Sequence, residues 1–234
     1  MWDNSEPQGN GAVVDKLVLY SYWRSSAAYR VRIGLNLKRL RYETVPVHLL
    51  RDGGEQHSAA YREANPQQLV PVLQHGHRML RQSLAILDYL DEVWPEPVLL
   101  PATARGRQRV RALAQLVACD IHPLNNLRVL QYFEREWNVP QTERDAWVRH
   151  WMEQGFHAFE QLLADNPATS AFCEGHAPTV ADCCLIPQLY NARRYGMDLA
   201  AFPTLLRIEA ACLALPAFDD ARPERQPDAP EHQG

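Results

Sequence analysis

Two adjacent serines stand where a polar turn gives way to a helical pattern. Ser25 and Ser26 follow Trp23 and Arg24, and apolar residues then recur at helical spacing. The first turn of a helix offers unpaired N–H groups and partial positive charge, which stabilise a bound thiolate or carboxylate. A serine hydroxyl that donates a hydrogen bond to sulfur lowers the pKa of the thiol. Either serine would equally serve as a plain N-cap, so the motif alone leaves both interpretations open.

A second helix start with the same character lies at Gln82 and Ser83. It follows a predicted strand and offers backbone and hydroxyl donors to a carboxylate. Two anion-binding helix starts in one small domain are stronger support for a binding site than a single helix start. Between them, the Val70–Pro71 peptide bond is a candidate for the cis form, which would turn the Val70 backbone groups outward to pair with a peptide-like ligand.

Polar residues also interrupt the apolar pattern of the C-terminal half. His122 and Asn126 are spaced to share one helix face, with Arg128 in the next turn, and Pro123 predicts a kink or restart of the helix. An arginine pair that ends at Arg194 follows later in the chain. Because a planar guanidinium pairs with a carboxylate at two points, the cluster predicts carboxylate recognition, although each polar residue alone is more often structural.

The elements that would position these residues alternate between strand and helix in the first half. Short apolar runs predict the strands, and helical periodicity predicts the helices between them. Pro71 cannot donate a ladder hydrogen bond, so it marks the first residue of a strand or an exposed edge. In chain order, the predicted elements are strand 16–20, a helix capped by Ser25 or Ser26, strand 42–47, helix 59–64, a strand that includes Pro71, strand 78–80, and a helix over 83–94.

From about residue 105 no convincing strand pattern remains, and helical spacing recurs over 110–124, 142–163, 179–195 and 203–215. Thr179 and Asp182 have the spacing of a capping box with Asp in place of Glu, which predicts a structural role. The fold class is therefore α/β plus all-α. The predicted divisions are a flexible extension over 1–15, an α/β domain over 16–95, a Pro-rich linker over 96–104, a helical domain over 105–216, and a disordered tail over 217–234.

Composition argues against several other classes of protein. A net charge of -4 with 46% apolar residues describes a globular chain with no bulk attraction to nucleic acid or anionic membranes. No apolar run approaches the roughly 20 residues that cross a bilayer, and residues 1–14 lack the pattern of a secretory signal. The five cysteines show no paired spacing, so we expect them to be reduced and buried, with no metal site, in a cytoplasmic protein.

Taken together, the motifs resemble those of the zeta-class glutathione transferase family, in particular its bacterial maleylacetoacetate isomerase branch. The resemblance spans about residues 16–226 and depends on the combination of motifs, since each short motif alone is weak. The matching segments are YWRSS at 22–26, RVR at 30–32, NP at 65–66, LVP at 69–71, QSLAI at 82–86, DIHPLNNLR at 120–128, AD at 181–182 and YNARR at 190–194.

The resemblance implies a thioredoxin-like N-terminal domain with a cis Pro71, an all-helical C-terminal domain, a homodimer, and glutathione as cofactor. It implies that Ser25 holds the thiolate, with Ser26 beside it. The other residues that it implies for glutathione binding are Val70, Pro71, Gln82, Ser83, His122 and Asn126. The residues that it implies for the carboxylates of a small diacid substrate are Arg24, Arg128 and Arg194.

The implied activity is glutathione-dependent cis–trans isomerisation of maleylacetoacetate to fumarylacetoacetate, a step of tyrosine and phenylalanine breakdown. The sequence leaves open isomerisation of maleylpyruvate, a general glutathione transferase, and a noncatalytic glutathione-binding module; the three arginines argue against the last. One position departs from the family motif, because Ala27 stands where Ser-Ser-Cys is usual. That loop therefore lacks a protein thiol, and glutathione itself would supply the nucleophile.

Overall fold

The computed structural model describes residues 16–230. The extension predicted over 1–15 and the last four residues of the predicted tail lie outside the described residues. Within 16–230, no helix is both long and apolar enough to cross a membrane.

The N-terminal half is a four-stranded mixed sheet with helices. In chain order its elements are β1 (Leu17–Ser21), α1 (Ser26–Leu37), β2 (Glu43–Pro46), α2 (Ala59–Ala64), β3 (Val72–His75), β4 (Arg78–Arg81) and α3 (Ser83–Val93). The strand order is β2-β1-β3-β4, with β1 parallel to β2 and antiparallel to β3. Pro71 directly precedes β3, so the strand begins one residue later than the sequence predicted. The thioredoxin-like prediction is confirmed, and Ser25 and Ser26 follow the interior strand β1.

The C-terminal half is helical, as its periodicity predicted. Its helices are α4 (Ala104–Gln115), α5 (Leu127–Trp137), α6 (Gln141–Ala164), α7 (Val180–Arg194), α8 (Pro203–Leu213) and the single turn α9 (Pro216–Asp219). Helix α1 joins the two halves: Val31 and Leu35 pack with the sheet and α3, whereas Tyr29 and Ile33 belong to the core of the helical half. This two-sided burial fixes the start of α1 against both halves.

The continuous helix predicted over 110–124 is wrong. The α-helix ends at Gln115, and one wide helical turn over 116–121 and one 3-10 turn over 122–125 follow it. Pro123 has no N–H for an α-helical hydrogen bond, and the Asn126 side chain accepts from the Arg128 N–H to begin a new helix. The spacing of His122 and Asn126 predicted that they share one helix face. Because the helix is interrupted between them, they do not.

The disordered tail predicted after Pro216 is also wrong for residues 217–230. Asn36 donates to the Ala217 carbonyl at 3.0 Å, and Arg32 Nε donates to the Ala221 carbonyl at 3.0 Å. Phe218 is fully buried against the helical core. The Pro-rich, polar composition of this segment gave no sign of the side chains on α1 that hold it.

The capping box predicted at the start of α7 is confirmed. Asp182 is fully buried, and one of its carboxylate oxygens accepts from both the N–H and the hydroxyl of Thr179, at 2.7 and 2.8 Å. The other oxygen accepts from the Cys173 N–H at 2.8 Å. The carboxylate therefore ties the loop before α7 to the helix.

Candidate active site

Two adjoining cavities lie where the turn after β1 meets the helical half. The first has a volume of about 470 Å³ and the second about 210 Å³. They share a wall, and the residues that line both are Gln67, Leu69, Val70, His122, Asn126 and Arg128. Seven of the predicted site residues line only one: Arg24, Ser25, Ser26 and Arg194 the first cavity, and Pro71, Gln82 and Ser83 the second.

Ser25 is the N-cap of α1, and both serines line the first cavity. The Ser25 hydroxyl oxygen accepts from the Ala28 N–H at 3.2 Å, and the Ser25 N–H donates to the Tyr22 carbonyl at 2.9 Å. A hydroxyl has one proton to donate besides its lone pairs. The cap and a hydrogen bond to a bound sulfur are therefore compatible, and the two interpretations of this residue do not compete.

The peptide bond between Val70 and Pro71 is cis, as predicted. The preceding Leu69 carbonyl accepts hydrogen bonds from the Tyr61 hydroxyl and from Asn65 Nδ2, both at 2.7 Å. Asn65 is 2% exposed, so these bonds are shielded from water. The loop that presents Val70 is thus fixed by two side chains of the α2 region.

Gln82 and Ser83 stand at the start of α3 in the second cavity. Gln82 has a φ of 69° and donates from its amide to Gln67 Oε1 at 2.8 Å. The Ser83 hydroxyl accepts from Arg30 Nη1 at 3.2 Å, which leaves its proton for a ligand. The two helix starts therefore line two adjoining cavities, and Val70 lines both.

Sequence reasoning missed the importance of Arg30. Its side chain is 2% exposed and lines the second cavity, and its Nε and Nη2 groups have no hydrogen-bond partner among residues 16–230. Burial lowers the pKa of this guanidinium from its ordinary value. A buried cation without a counter-ion is costly, so the second cavity favours an anionic group near Ser83. The sequence periodicity of α1 marked Arg30 only as a polar position and did not predict that its side chain is buried.

His122 lies in the wall between the cavities, together with Asn126 and Arg128. Burial, the Arg30 charge and the Arg128 charge lower the pKa of His122 to about 3. The ring is therefore neutral near pH 7, and it is an acceptor or a neutral donor in this site rather than a cation.

We expect this histidine to make the fold sensitive to acid. The unfolded ring takes a proton near pH 6.5 and the folded ring only near pH 3, so stability is lost as pH falls through that window. The loss is at most about 1 kcal/mol per pH unit, since partial exposure of the residue reduces it. Urea unfolding at pH 7 and pH 5 should show a smaller loss in the His122→Asn variant. Equal losses in both proteins would contradict the shift.

The first cavity is lined by four arginines: the three predicted ones, Arg24, Arg128 and Arg194, and also Arg135. The guanidinium of Arg194 donates to Asn191 Oδ1 from Nε at 3.2 Å and from Nη2 at 2.8 Å, and it lies 4.4 Å from the Tyr195 ring centroid. These contacts hold the planar Arg194 guanidinium in place at the cavity wall. The arrangement suits a small molecule with carboxylates at both ends.

None of the five cysteines lines the first cavity. Cys173, Cys183, Cys184 and Cys212 are buried, as predicted, but Cys119 is exposed and lines the second cavity. The prediction of burial is therefore wrong for Cys119. Ala27, at the position of the family cysteine, also lines the second cavity.

The fold and the site together define a glutathione transferase. An α/β domain supplies two helix starts and a cis-proline loop to two adjoining cavities, the helical half lines both, and residues 19–97 match the glutathione S-transferase N-terminal domain family.

The chain is also similar, over nearly its whole length, to individual relatives and solved structures. It is 51% identical to a probable maleylacetoacetate isomerase of Vibrio cholerae, over 91% of this chain and 98% of the relative. The holo structure of a maleylpyruvate isomerase, a bacterial zeta-class glutathione S-transferase, matches with a TM-score of 0.88 at 47% identity, over 91% of this chain and 99% of that one. A maleylacetoacetate isomerase of Anaeromyxobacter dehalogenans, solved with dicarboxyethyl glutathione and citrate in the active site, matches with a TM-score of 0.80 at 45% identity, over 92% and 99%. The chain belongs to the maleylacetoacetate isomerase family of zeta-class glutathione transferases.

Proposed function

We propose that this protein is a glutathione-dependent isomerase that converts maleylacetoacetate to fumarylacetoacetate in tyrosine and phenylalanine breakdown. The observation that carries the proposal is a single cleft in which the helix start at Ser25 shares its walls with Arg24, Arg128 and Arg194. A thiolate at a helix start and guanidinium groups around it are what thiol catalysis on a small diacid needs. The names of the relatives support the same reaction.

Glutathione fits the residues that line the two cavities. It is an extended tripeptide with a central thiol and a terminal carboxylate at each end. We assign its thiolate to Ser25, with Ser26 adjacent, its cysteinyl backbone to Val70 beside Pro71, and its γ-glutamyl end to Gln82 and Ser83. The unpaired N–H groups of Arg30 behind Ser83 support an anionic group at that end. From the helical half, the residues assigned to glutathione are His122 and Asn126.

The residues then divide the work of the reaction. When bound, glutathione supplies a thiolate that adds to the activated double bond, so that the bond can rotate before the thiolate leaves. The Ser25 hydroxyl stabilises the anionic form of the sulfur, and the arginines hold the substrate carboxylates and the negative charge that develops on the keto oxygen. With Ala27 in place of a cysteine, the chain has no thiol of its own beside Ser26. Dicarboxyethyl glutathione in a relative supports a sulfur–carbon bond at such a site.

Arg194 provides a test of carboxylate recognition. We expect Arg194→Ala to raise the KM for the diacid about 10-fold, because a charge-assisted bidentate pair is lost from a partly exposed site. The KM for glutathione should stay within about 2-fold of its normal value. Arg193→Ala is the matched control, since Arg193 pairs with Glu209 and does not line either cavity. Unchanged diacid kinetics in Arg194→Ala would remove this arginine from the substrate site.

Maleylpyruvate is the second candidate substrate, and the structural match to a maleylpyruvate isomerase favours it specifically. Both molecules present a carboxylate and a conjugated keto group to the same arginines. Purified protein with glutathione and each cis diacid decides between them through kcat/KM. Higher kcat/KM for maleylacetoacetate supports the proposal, and higher kcat/KM for maleylpyruvate overturns the choice of substrate while leaving the chemistry in place.

We also propose that the enzyme acts as a homodimer in the cytoplasm. The family membership supports the dimer, and the free state of all five cysteines is compatible with a reducing compartment. Sedimentation equilibrium of the purified chain, with a mass of 26.8 kDa per subunit, tests the first statement directly.

A further inference from the structure

The C-terminal segment over 220–229 lies directly against the turn that carries the candidate active site. Asp228 Oδ2 accepts a hydrogen bond from the Trp23 N–H at 2.8 Å. On the other side of the same residue, Arg32 Nη2 donates to the Trp23 carbonyl at 3.0 Å. Both backbone groups of Trp23 are thus held by charged side chains, and the next two residues are Arg24 and Ser25.

The two charged side chains are buried, so water does not compete for these bonds. Arg32 is fully buried, and Asp228 is 6% exposed. Arg32 also donates to the Ser21 hydroxyl at 3.2 Å and to the Ala221 carbonyl at 3.0 Å, so one guanidinium joins the end of β1, the turn and the C-terminal segment. A low local dielectric strengthens hydrogen bonds of this kind.

The segment that carries Asp228 is itself held in one conformation. Gln226 is 6% exposed, and its amide donates to the carbonyls of Asp220 and Arg222 at 3.0 and 2.9 Å. The Tyr190 hydroxyl bonds to the Glu224 carboxylate, which connects the segment to α7 four residues before Arg194. Asp228 therefore approaches the turn from a fixed support rather than from a loose chain end.

We propose that Asp228 is a positioning residue for the reaction: by accepting the Trp23 N–H, it fixes the turn and so directs the Ser25 hydroxyl and the Arg24 side chain into the cleft. This inference rests on the proposed function. Within the turn, the Ser25 N–H donates to the Tyr22 carbonyl at 2.9 Å, which closes the turn but does not join it to another element. Small displacements of catalytic groups reduce rates steeply, so an external anchor on this turn matters for activity.

The test compares Asp228→Ala with Asp228→Asn, whose amide oxygen still accepts a hydrogen bond. We expect Asp228→Ala to raise the pKa of the thiol of bound glutathione by roughly 0.5 to 1 unit, followed by thiolate absorbance, because Ser25 no longer points firmly at the sulfur. Its kcat should fall about 10-fold, with less than about 3-fold change in the KM for glutathione. Hydrogen exchange should speed up in the peptide over 20–26. Asp228→Asn should remain close to the parent protein in all three.

Two controls separate positioning from general stability. Asp220→Ala removes a carboxylate from the same segment, where it pairs at the surface with Arg225, and should leave the thiol pKa unchanged. A chain that ends at Pro230 should behave like the full chain. Identical thiol pKa and exchange in Asp228→Ala and the parent would overturn the inference, and so would equal losses in the Ala and Asn variants. If the parent binds glutathione with a lowered thiol pKa but isomerises neither diacid, the proposed function fails while the thiol pKa still tests Asp228.

Discussion

We expect the Ser25→Ala variant to lose about 10- to 100-fold in kcat/KM for the diacid. The loss corresponds to one hydrogen bond to a charged sulfur, which contributes about 1.5–3 kcal/mol. Because the same hydroxyl accepts from the Ala28 N–H, the variant also loses an N-cap worth about 1 kcal/mol. Steady-state kinetics with saturating glutathione, together with urea unfolding, measures both effects.

Glycine at the same position separates catalysis from capping. Ser25→Gly also removes the hydroxyl donor, but glycine is tolerated at an N-cap at a cost of only a few tenths of a kcal/mol. We therefore expect equal losses of activity in the Ala and Gly variants and a clear loss of stability only in the former. Ser26, the first residue of α1, provides the neighbouring control, and Ser26→Ala should cost less activity. If the loss of activity in the Ser25→Ala, Ser25→Gly and Ser26→Ala variants were proportional to their loss of stability, Ser25 would be only a helix cap.

The largest effect on folding is expected at Asp182. Asp182→Ala leaves the Thr179 N–H, the Thr179 hydroxyl and the Cys173 N–H without their acceptor in a fully buried site. Unsatisfied buried donors cost about 1–3 kcal/mol each, and some relaxation is expected, so the free energy of unfolding should fall by about 4 kcal/mol. Urea denaturation followed by circular dichroism measures it.

Asp198→Ala is the matched control for this prediction. Asp198 also accepts from a backbone N–H, that of Ala200 at 2.9 Å, but it is exposed to solvent. Water replaces its hydrogen bond, so the expected loss is below about 1 kcal/mol. A similar small loss in Asp182→Ala would mean that the loop before α7 does not depend on the carboxylate.

The order of strands and helices, except for the unpredicted α5, could be read from the sequence because it depends on local periodicity. The helix starts at Ser25 and Ser83 were accessible for the same reason, since capping residues and strand ends are local signals. The sequence also marked the capping box at Thr179 and Asp182. These features share one property: each is decided within about four residues of the chain.

Features that depend on contacts between residues far apart in the chain were either missed or predicted wrongly from the sequence. Nothing local shows that Arg32 of α1 reaches the carbonyl of Ala221, so the segment after Pro216 looked like a disordered tail. The burial of Arg30 behind Ser83 likewise depends on packing between α1 and α3. His122 and Asn126 meet the site through a break in the helix rather than through helical spacing, because Pro123 ends the regular pattern. Tertiary contacts, not propensity, placed these groups.

The role of the glutathione thiolate is tested by isomerisation of maleylacetoacetate with glutathione and, separately, with S-methylglutathione. The methylated tripeptide retains the groups that Val70, Gln82 and Ser83 would bind but has no thiol to ionise. We expect turnover to fumarylacetoacetate with glutathione and, with S-methylglutathione, competitive binding but no turnover. Equal turnover with both tripeptides, or with neither, would contradict a glutathione thiolate held at Ser25 as the catalytic group.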